Sequence, residues 1–161
     1  FEKRAALTIS IVAICLTFIG NLGDNAKTEA IIRTNQSSDQ WGYFQAKGIK
    51  GQMAAMQASL LSSLSGANQT EEIRTDVARL RKEAERYEQE KGDIKKEAER
   101  LHHEAQHDSS INDRCDQSSL FLQLSVVFCS VSILSRSHKL WYVGILLGAV
   151  GAVIGVTAFM L

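Results

Sequence analysis

Proline is absent from all 161 residues. A proline inside a helix removes a backbone hydrogen bond and clashes with the preceding turn. Its absence is unusual for a compact globular fold and suits a few long, uninterrupted helices. Net charge is absent too, since 18 Lys and Arg balance 18 Asp and Glu. Phosphate binding needs clustered positive charge, so nucleic acid is excluded as the main partner. The third absence is local. Residues 5–23, 119–135 and 140–161 contain no Asp, Glu, Lys or Arg. Without an ionisable group in these runs, proton relays and membrane-embedded metal sites lose their usual residues.

The charges concentrate instead in the middle, where residues 70–116 hold 10 Lys/Arg and 14 Asp/Glu. A helix needs about 20 apolar residues to cross the hydrocarbon core. The first and third runs meet that length; the second is shorter and carries Gln123, expected at a helix contact. The first run is too long for a signal peptide and lacks an A-x-A-like cleavage site, so a retained span is expected. Numbering starts at Phe1 rather than methionine, and further residues are expected ahead of it.

Orientation follows from the basic residues. Lys3 and Arg4 precede the first span, and Arg136, His138 and Lys139 lie between the second and third. Two spans separate these sites, which places both on one side, the cytoplasm. Residues 24–116 then lie opposite, in the periplasm of a bacterium. Trp141 and Tyr142 open the third span, where an aromatic belt is expected.

From Ile73 the residues Val77, Leu80, Ala84, Tyr87, Lys91, Ile94, Ala98, Leu101 and Ala105 step alternately by four and three. This is a heptad seam with Lys91 as its one polar member. A single helix cannot bury such a seam. The nearest partner is the preceding segment, where Ile49, Met53, Met56, Leu60 and Leu64 supply a second apolar stripe. Residues 63–70 read as a turn, with Gly66 ending one helix and Asn68 or Thr70 capping the next. The expected result is an antiparallel helical hairpin roughly 50 Å long at 1.5 Å per residue. A helix from another subunit is the alternative partner.

The fold class is therefore an all-α membrane protein, with three transmembrane helices and a long extramembrane, coiled-coil-like antiparallel hairpin. Its divisions are a first span over 1–23, the hairpin over 24–116, a second span over 117–135, a basic loop over 136–139 and a third span over 140–161. Each span carries small residues at heptad spacing: Ala6, Ser10, Ala13, Thr17 and Gly20; Ser118, Ser125, Cys129 and Ser132; Gly144, Gly148, Gly151 and Gly155. Small stripes let helices approach closely in lipid. The glycine stripe is expected to meet another subunit, with packing among the chain's own spans as the alternative.

His103-Glu104-Ala105-Gln106-His107 matches the H-E-x-x-H pattern of zinc proteases. That pattern works because two histidines four apart share one helix face and a glutamate serves as base. With Leu101 and Ala105 on the seam, His103 and His107 fall on the outside of a rod with no cleft, and no protease is expected. The residual metal candidate is the group His102, His103, His107 and Asp108. Cys15 and Cys129 are expected to pack, while Cys115 just outside the second span is a candidate for pairing between subunits. Asn35-Gln36-Ser37 and Asn68-Gln69-Thr70 match glycosylation sequons and are read as incidental.

SSDQWGYFQAKGIK at 37–50 resembles a phrase of the bacterial membrane family called domain of unknown function 4337. NAKTEA at 25–30, ERYEQEKGDIKKEAE at 85–99 and RSHKLWY at 136–142 extend the likeness over nearly the whole chain. The resemblance implies three spans and a helical middle, and it implies no reaction, cofactor or catalytic residue. Trp41 would stand roughly 27 Å beyond the first span on a straight helix. It belongs with Tyr43, Phe44, Lys47 and Lys50 to an aromatic-basic cluster, expected to be an interface or a packing point of the hairpin.

The function expected is that of a non-catalytic protein of the bacterial inner membrane, without cofactor, in contact with lipid. It self-assembles as a homo-oligomer in a structural or scaffolding role. Docking as an accessory subunit on a larger membrane complex, and an oligomeric pore, are the alternatives.

Overall fold

The computed structural model describes residues 2–66, 70–158 and 160. Among them the chain forms three α-helices and no strand. Helix α1 spans Glu2–Ser65, α2 spans Glu71–Ser135 and α3 spans His138–Ala158. All three contain stretches long and apolar enough, by length and composition, to cross a membrane.

Glycine and threonine bound the break between α1 and α2. Gly66 has a φ of 48°, the left-handed geometry that stops a helix without a Cβ penalty. Thr70 stands at the N-cap position, where its carbonyl accepts from the amide of Arg74 at 3.2 Å. Asn68, the other expected cap, lies outside the described residues, as do Gln69 and Ala67.

The end of α2 uses an arginine where glycine is usual. Arg136 has a φ of 51°. Its amide donates to Ile133 O at 3.3 Å, and the Ser137 amide donates to Ser132 O at 3.1 Å. These two bonds form a Schellman cap, whose left-handed residue bears a steric cost unless it is glycine. Arg136→Gly is therefore expected to raise stability by roughly 1 kcal/mol, read as a higher melting temperature in detergent.

The chain divides into two compact units. Unit 1 comprises Phe1–Ile32 and Glu104–Leu161. Its centre combines small and polar side chains with a few large apolar ones, Val12, Ile19 and Leu122. Cys115, Ser118, Leu122, Ser125, Cys129 and Ser132 of α2 are all buried, and so are Gly144, Gly148, Gly151 and Gly155 of α3. Ser118 Oγ donates to Gly151 O and Ser125 Oγ to Gly144 O, each at 2.7 Å. Each such bond contributes roughly 1 kcal/mol and satisfies a buried hydroxyl. Many large apolar side chains lie outside: Ile14 is 70 % exposed, Leu146 65 % and Leu134 89 %.

The small stripe of α1 departs from expectation. Ala6, Ser10, Ala13 and Thr17 are exposed, and Ala5, Val12 and Ile19 are buried in their place. The reason lies in α3. A Cβ on Gly148 would stand 3.5 Å from Val12 Cγ2, and one on Gly155 would stand 2.6 Å from Ile19 Cδ1. Large knobs of α1 fill the hollows that glycine leaves, and a second small stripe would leave them empty. Ser10 and Thr17 bond instead to carbonyls of their own helix, Ala6 O and Ala13 O. Gln123 is exposed rather than at a helix contact. Cys115 is buried, with its Cβ 2.9 Å from where a Cβ on Gly23 would stand, so it is no longer a candidate for pairing between subunits.

Unit 2 comprises Arg33–His103. Here α1 and α2 run in opposite directions: Ser37 Oγ donates to Ala98 O at 2.9 Å, and Lys47 Nζ meets Glu90. That bond uses the Ser37 hydroxyl of the first sequon. The α2 seam matches its heptad pattern, with Val77, Ala98 and Leu101 buried and Leu80, Tyr87 and Ile94 half-buried.

The α1 stripe expected to face that seam does not. Ile49, Met53, Met56, Leu60 and Leu64 are each more than half exposed. The inner face is Phe44, Lys47, Gly48, Gly51, Ala54, Ala58 and Leu61. A Cβ on Gly51 would stand 3.3 Å from Tyr87 Cβ and 3.7 Å from Ala84 O. The large residues of α2 thus nest on small residues of α1, which brings the two backbones closer than two large stripes would permit.

Candidate functional site

The aromatic-basic cluster lies on the middle turns of unit 2. One helical stretch brings Trp41, Tyr43, Phe44 and Lys47 together, because residues three and four apart share a face. The Trp41 and Phe44 rings meet edge to face at 5.4 Å. Trp41, Phe44 and Lys47 are half-buried, whereas Tyr43 and Lys50 are exposed.

Lys47 occupies an inner position of α1. Its Nζ donates to Glu90 Oε2 at 2.5 Å and stands 5.2 Å from the Tyr43 ring and 5.1 Å from the Tyr87 ring. Lys91, the polar member of the α2 seam, lies 5.0 Å from the Phe44 ring. It donates to both carboxylate oxygens of Glu88, at 3.1 and 3.0 Å. The missing side chain of Gly48 makes room for it, since a Cβ there would stand 3.6 Å from Lys91 Cε. Tyr87 OH donates to Glu83 Oε1 at 3.0 Å. The result is a polar layer in an otherwise apolar seam, with two ammonium groups on aromatic faces and each closed by a glutamate. Polar seam layers of this kind fix helix register.

Glu88 and Glu90 were not among the residues singled out by sequence, and Tyr87 was named only as a seam residue. The signal for them was Lys91: a lysine at a seam position requires an acceptor or a ring nearby. The hydrogen bond from Lys47 holds the Glu90 carboxyl below its ordinary value of 4.5. The same bond, with a further contribution from Tyr43, holds the Lys47 ammonium above 10.5.

The signs follow from linkage. A depressed carboxylate stabilises above its unfolded value, and that gain is lost as pH falls through the folded value. A raised ammonium stabilises below its unfolded value, and that gain is lost as pH rises through the folded value. The pair is therefore expected to stabilise unit 2 evenly between about pH 4.5 and 10.5, and to fail on either side. Thermal melts of the parent and Glu90→Gln chains should differ at pH 7 and converge as the pH falls through the depressed folded value of Glu90. Glu97, held low first by its bond from Arg100, adds to the acid limb in both chains.

The metal candidate does not assemble. His102, His103 and His107 are exposed and Asp108 is half-buried. The rings of His102 and His103 are 6.5 Å apart. Among the described residues, no group of three or more His, Cys, Asp or Glu is placed to hold an ion. Adjacent helix positions diverge by about 100° at 3.6 residues per turn. His103 and His107 therefore share a face while His102 points elsewhere, and no third ligand joins them.

The glycine stripe is occupied within the chain. Gly144 and Gly148 face Ser125 and Cys129, and Gly151 and Gly155 face Ser118, Phe121 and Leu122. The face expected to meet another subunit meets α2, which corresponds to the alternative of packing among the chain's own spans.

A family model described as Domain of unknown function (DUF4337) matches residues 1–161. The chain belongs to this family. Comparison with curated proteins and with solved structures gives no match. Family membership agrees with the phrase around Trp41, now placed at a packed polar layer of unit 2.

Proposed function

We propose that this chain is a non-catalytic integral membrane protein of the bacterial inner membrane. Its hairpin, formed by the facing parts of α1 and α2, projects into the periplasm, and copies self-assemble in a structural or scaffolding role. The observation that carries this reading is the inverted side-chain distribution of unit 1. Serine, cysteine and glycine line its helix contacts beside Val12, Ile19 and Leu122, and Leu7, Ile14, Phe18, Leu146 and Val153 cover its outside. Water would reverse that arrangement; hydrocarbon favours it, because packing and internal hydrogen bonds replace the hydrophobic effect there. Arg136 Nε lies 3.9 Å from Glu2 Oε1, which supports a shared side for the N-terminal basic residues and the 136–139 loop.

Chemistry has little to work with. The buried hydroxyls of Ser118 and Ser125 are spent on carbonyls of α3, and the HEAQH histidines are exposed on α2. The test is carbonate extraction of membranes, together with labelling by a thiol reagent that does not cross the bilayer. Asp93→Cys should label from the periplasmic side. His138→Cys should label only after the membrane is opened, with the parent chain as background. Release by carbonate would sink the membrane reading, and reversed labelling would sink the orientation. Native mass measurement then tests assembly: a discrete multimer supports it, and a monomer removes it.

A further inference from the structure

The outer stripe of α1 is the feature that the fold leaves unexplained. Ile49, Met53, Met56, Leu60 and Leu64 are each more than half exposed, on the opposite side of the helix from Ala54 and Ala58. Contiguous apolar stripes of this kind on an extramembrane element mark interaction surfaces.

Three properties define what fits there. The stripe steps by four and three over Ile49, Met53, Met56 and Leu60, so its occupant is an α-helix with the same repeat. Residues 51–65 of α1 contain no Asp, Glu, Lys or Arg, whereas the outer positions of α2 in unit 2 are mostly charged. In a parallel, in-register pairing about a two-fold axis each residue meets its own copy, and a charge-free stripe does so without like-charge repulsion. The stripe is thus electrostatically self-complementary, and it offers no charge for an acidic or basic partner to recognise.

The third property is area. A helix face of 16 residues is about 24 Å long and about 10 Å wide, a footprint of roughly 240 Å² per copy. An independent interface needs about 800 Å² per partner. Such a contact cannot hold two free proteins together, but it can hold two copies anchored in one bilayer, where confinement raises the effective concentration.

We propose that the Ile49–Leu64 face of α1 docks the same face of a second copy of this chain, in parallel and in register. This rests on the reading of unit 1 as a membrane anchor, which places both copies in one bilayer with the same orientation. It refines the self-assembly reading by naming the surface.

The experiment uses the full chain in its native membrane. Single cysteines at Ile49, Met56 and Leu60 are oxidised mildly and compared with Arg79→Cys and Asp93→Cys, both exposed on α2. The expected result is a covalent dimer at twice the monomer mass from the three stripe positions, with little from the α2 positions or the parent chain. In the otherwise native chain, Met56→Glu should weaken association by roughly tenfold or more, since two carboxylates would meet on the axis. Equal cross-linking at Arg79 would indicate collision and overturn the proposal, as would a complex of defined mass containing a different protein at the stripe. A cross-link at Met56 without one at Ile49 or Leu60 would overturn the parallel register. Absence of stripe cross-links in a chain whose native mass is still multimeric would reject this surface and leave self-assembly standing. A monomeric mass would reject both.

Discussion

A leucine in place of Gly144 is expected to dismantle the helix packing of unit 1, at a cost of about 3 kcal/mol or more. Even the first added carbon has no room. A Cβ there would stand 2.5 Å from Cys129 Sγ, 3.2 Å from the Cys129 amide nitrogen and 3.2 Å from Ser125 O. The thiol can rotate away, but the two backbone atoms cannot. Separating α2 from α3 would also stretch the bond from Ser125 Oγ to Gly144 O, leaving a buried hydroxyl and carbonyl unpaired. Gly144→Ala should therefore destabilise by about 1–3 kcal/mol, with leucine worse. Gly20 is the matched control, because nothing lies within 4 Å of a Cβ there. Gly20→Ala should be neutral or stabilising by up to about 1 kcal/mol, the helix-propensity gain. Loss of helical signal on titration with a denaturing detergent reports each change. Equal sensitivity at Gly144 and Gly20 would contradict the packing described here.

The glycine and serine stripes of α3 and α2 were legible as small faces, but the glycine stripe was expected to meet another subunit, and its packing on α2 was only the alternative. The stripe of α1 looked equally good and faces outward. Periodicity identifies a face, but it does not say whether small or large residues should fill the partner's hollows. Glycines at Gly148 and Gly155 create hollows that Val12 and Ile19 fit and that Ala13 and Thr17 do not. Helix ends were legible where a glycine marked them, as at Gly66, and less so where Arg136 took the left-handed position. The metal candidate failed for a local reason: four residues within seven positions of a rigid helix spread around its circumference. The cluster around Trp41 was visible in part. Trp41, Phe44 and Lys47 do assemble, but the residues that complete the polar layer, Tyr87, Glu90 and Lys91, are 40 or more positions away from their partners, and only the misplaced lysine in the α2 seam pointed to them.

A glutamate at Ala58 and a glutamate at Met56 should have opposite consequences to those that the apolar pattern predicts. Hydrophobicity alone makes Met56 a seam residue and Ala58 a surface one. The structure reverses them, with Ala58 2 % exposed and Met56 60 % exposed. Ala58→Glu would place a carboxylate between α1 and α2 with no arranged partner, a burden of roughly 3–5 kcal/mol. Its melting transition should fall sharply, and recover at low pH as the carboxyl is neutralised. Met56→Glu should leave the stability of an isolated chain within about 0.5 kcal/mol, as surface changes do. Both variants are to be melted at a dilution where the chain is monomeric, so that lost association does not count as lost stability. If Met56→Glu unfolds unit 2 and Ala58→Glu does not, the inner face is the large stripe after all. The outer apolar stripe would then vanish, and the surface proposed for a second copy would vanish with it. The register of one helix turn thus decides both how unit 2 is held together and what it leaves for a second copy.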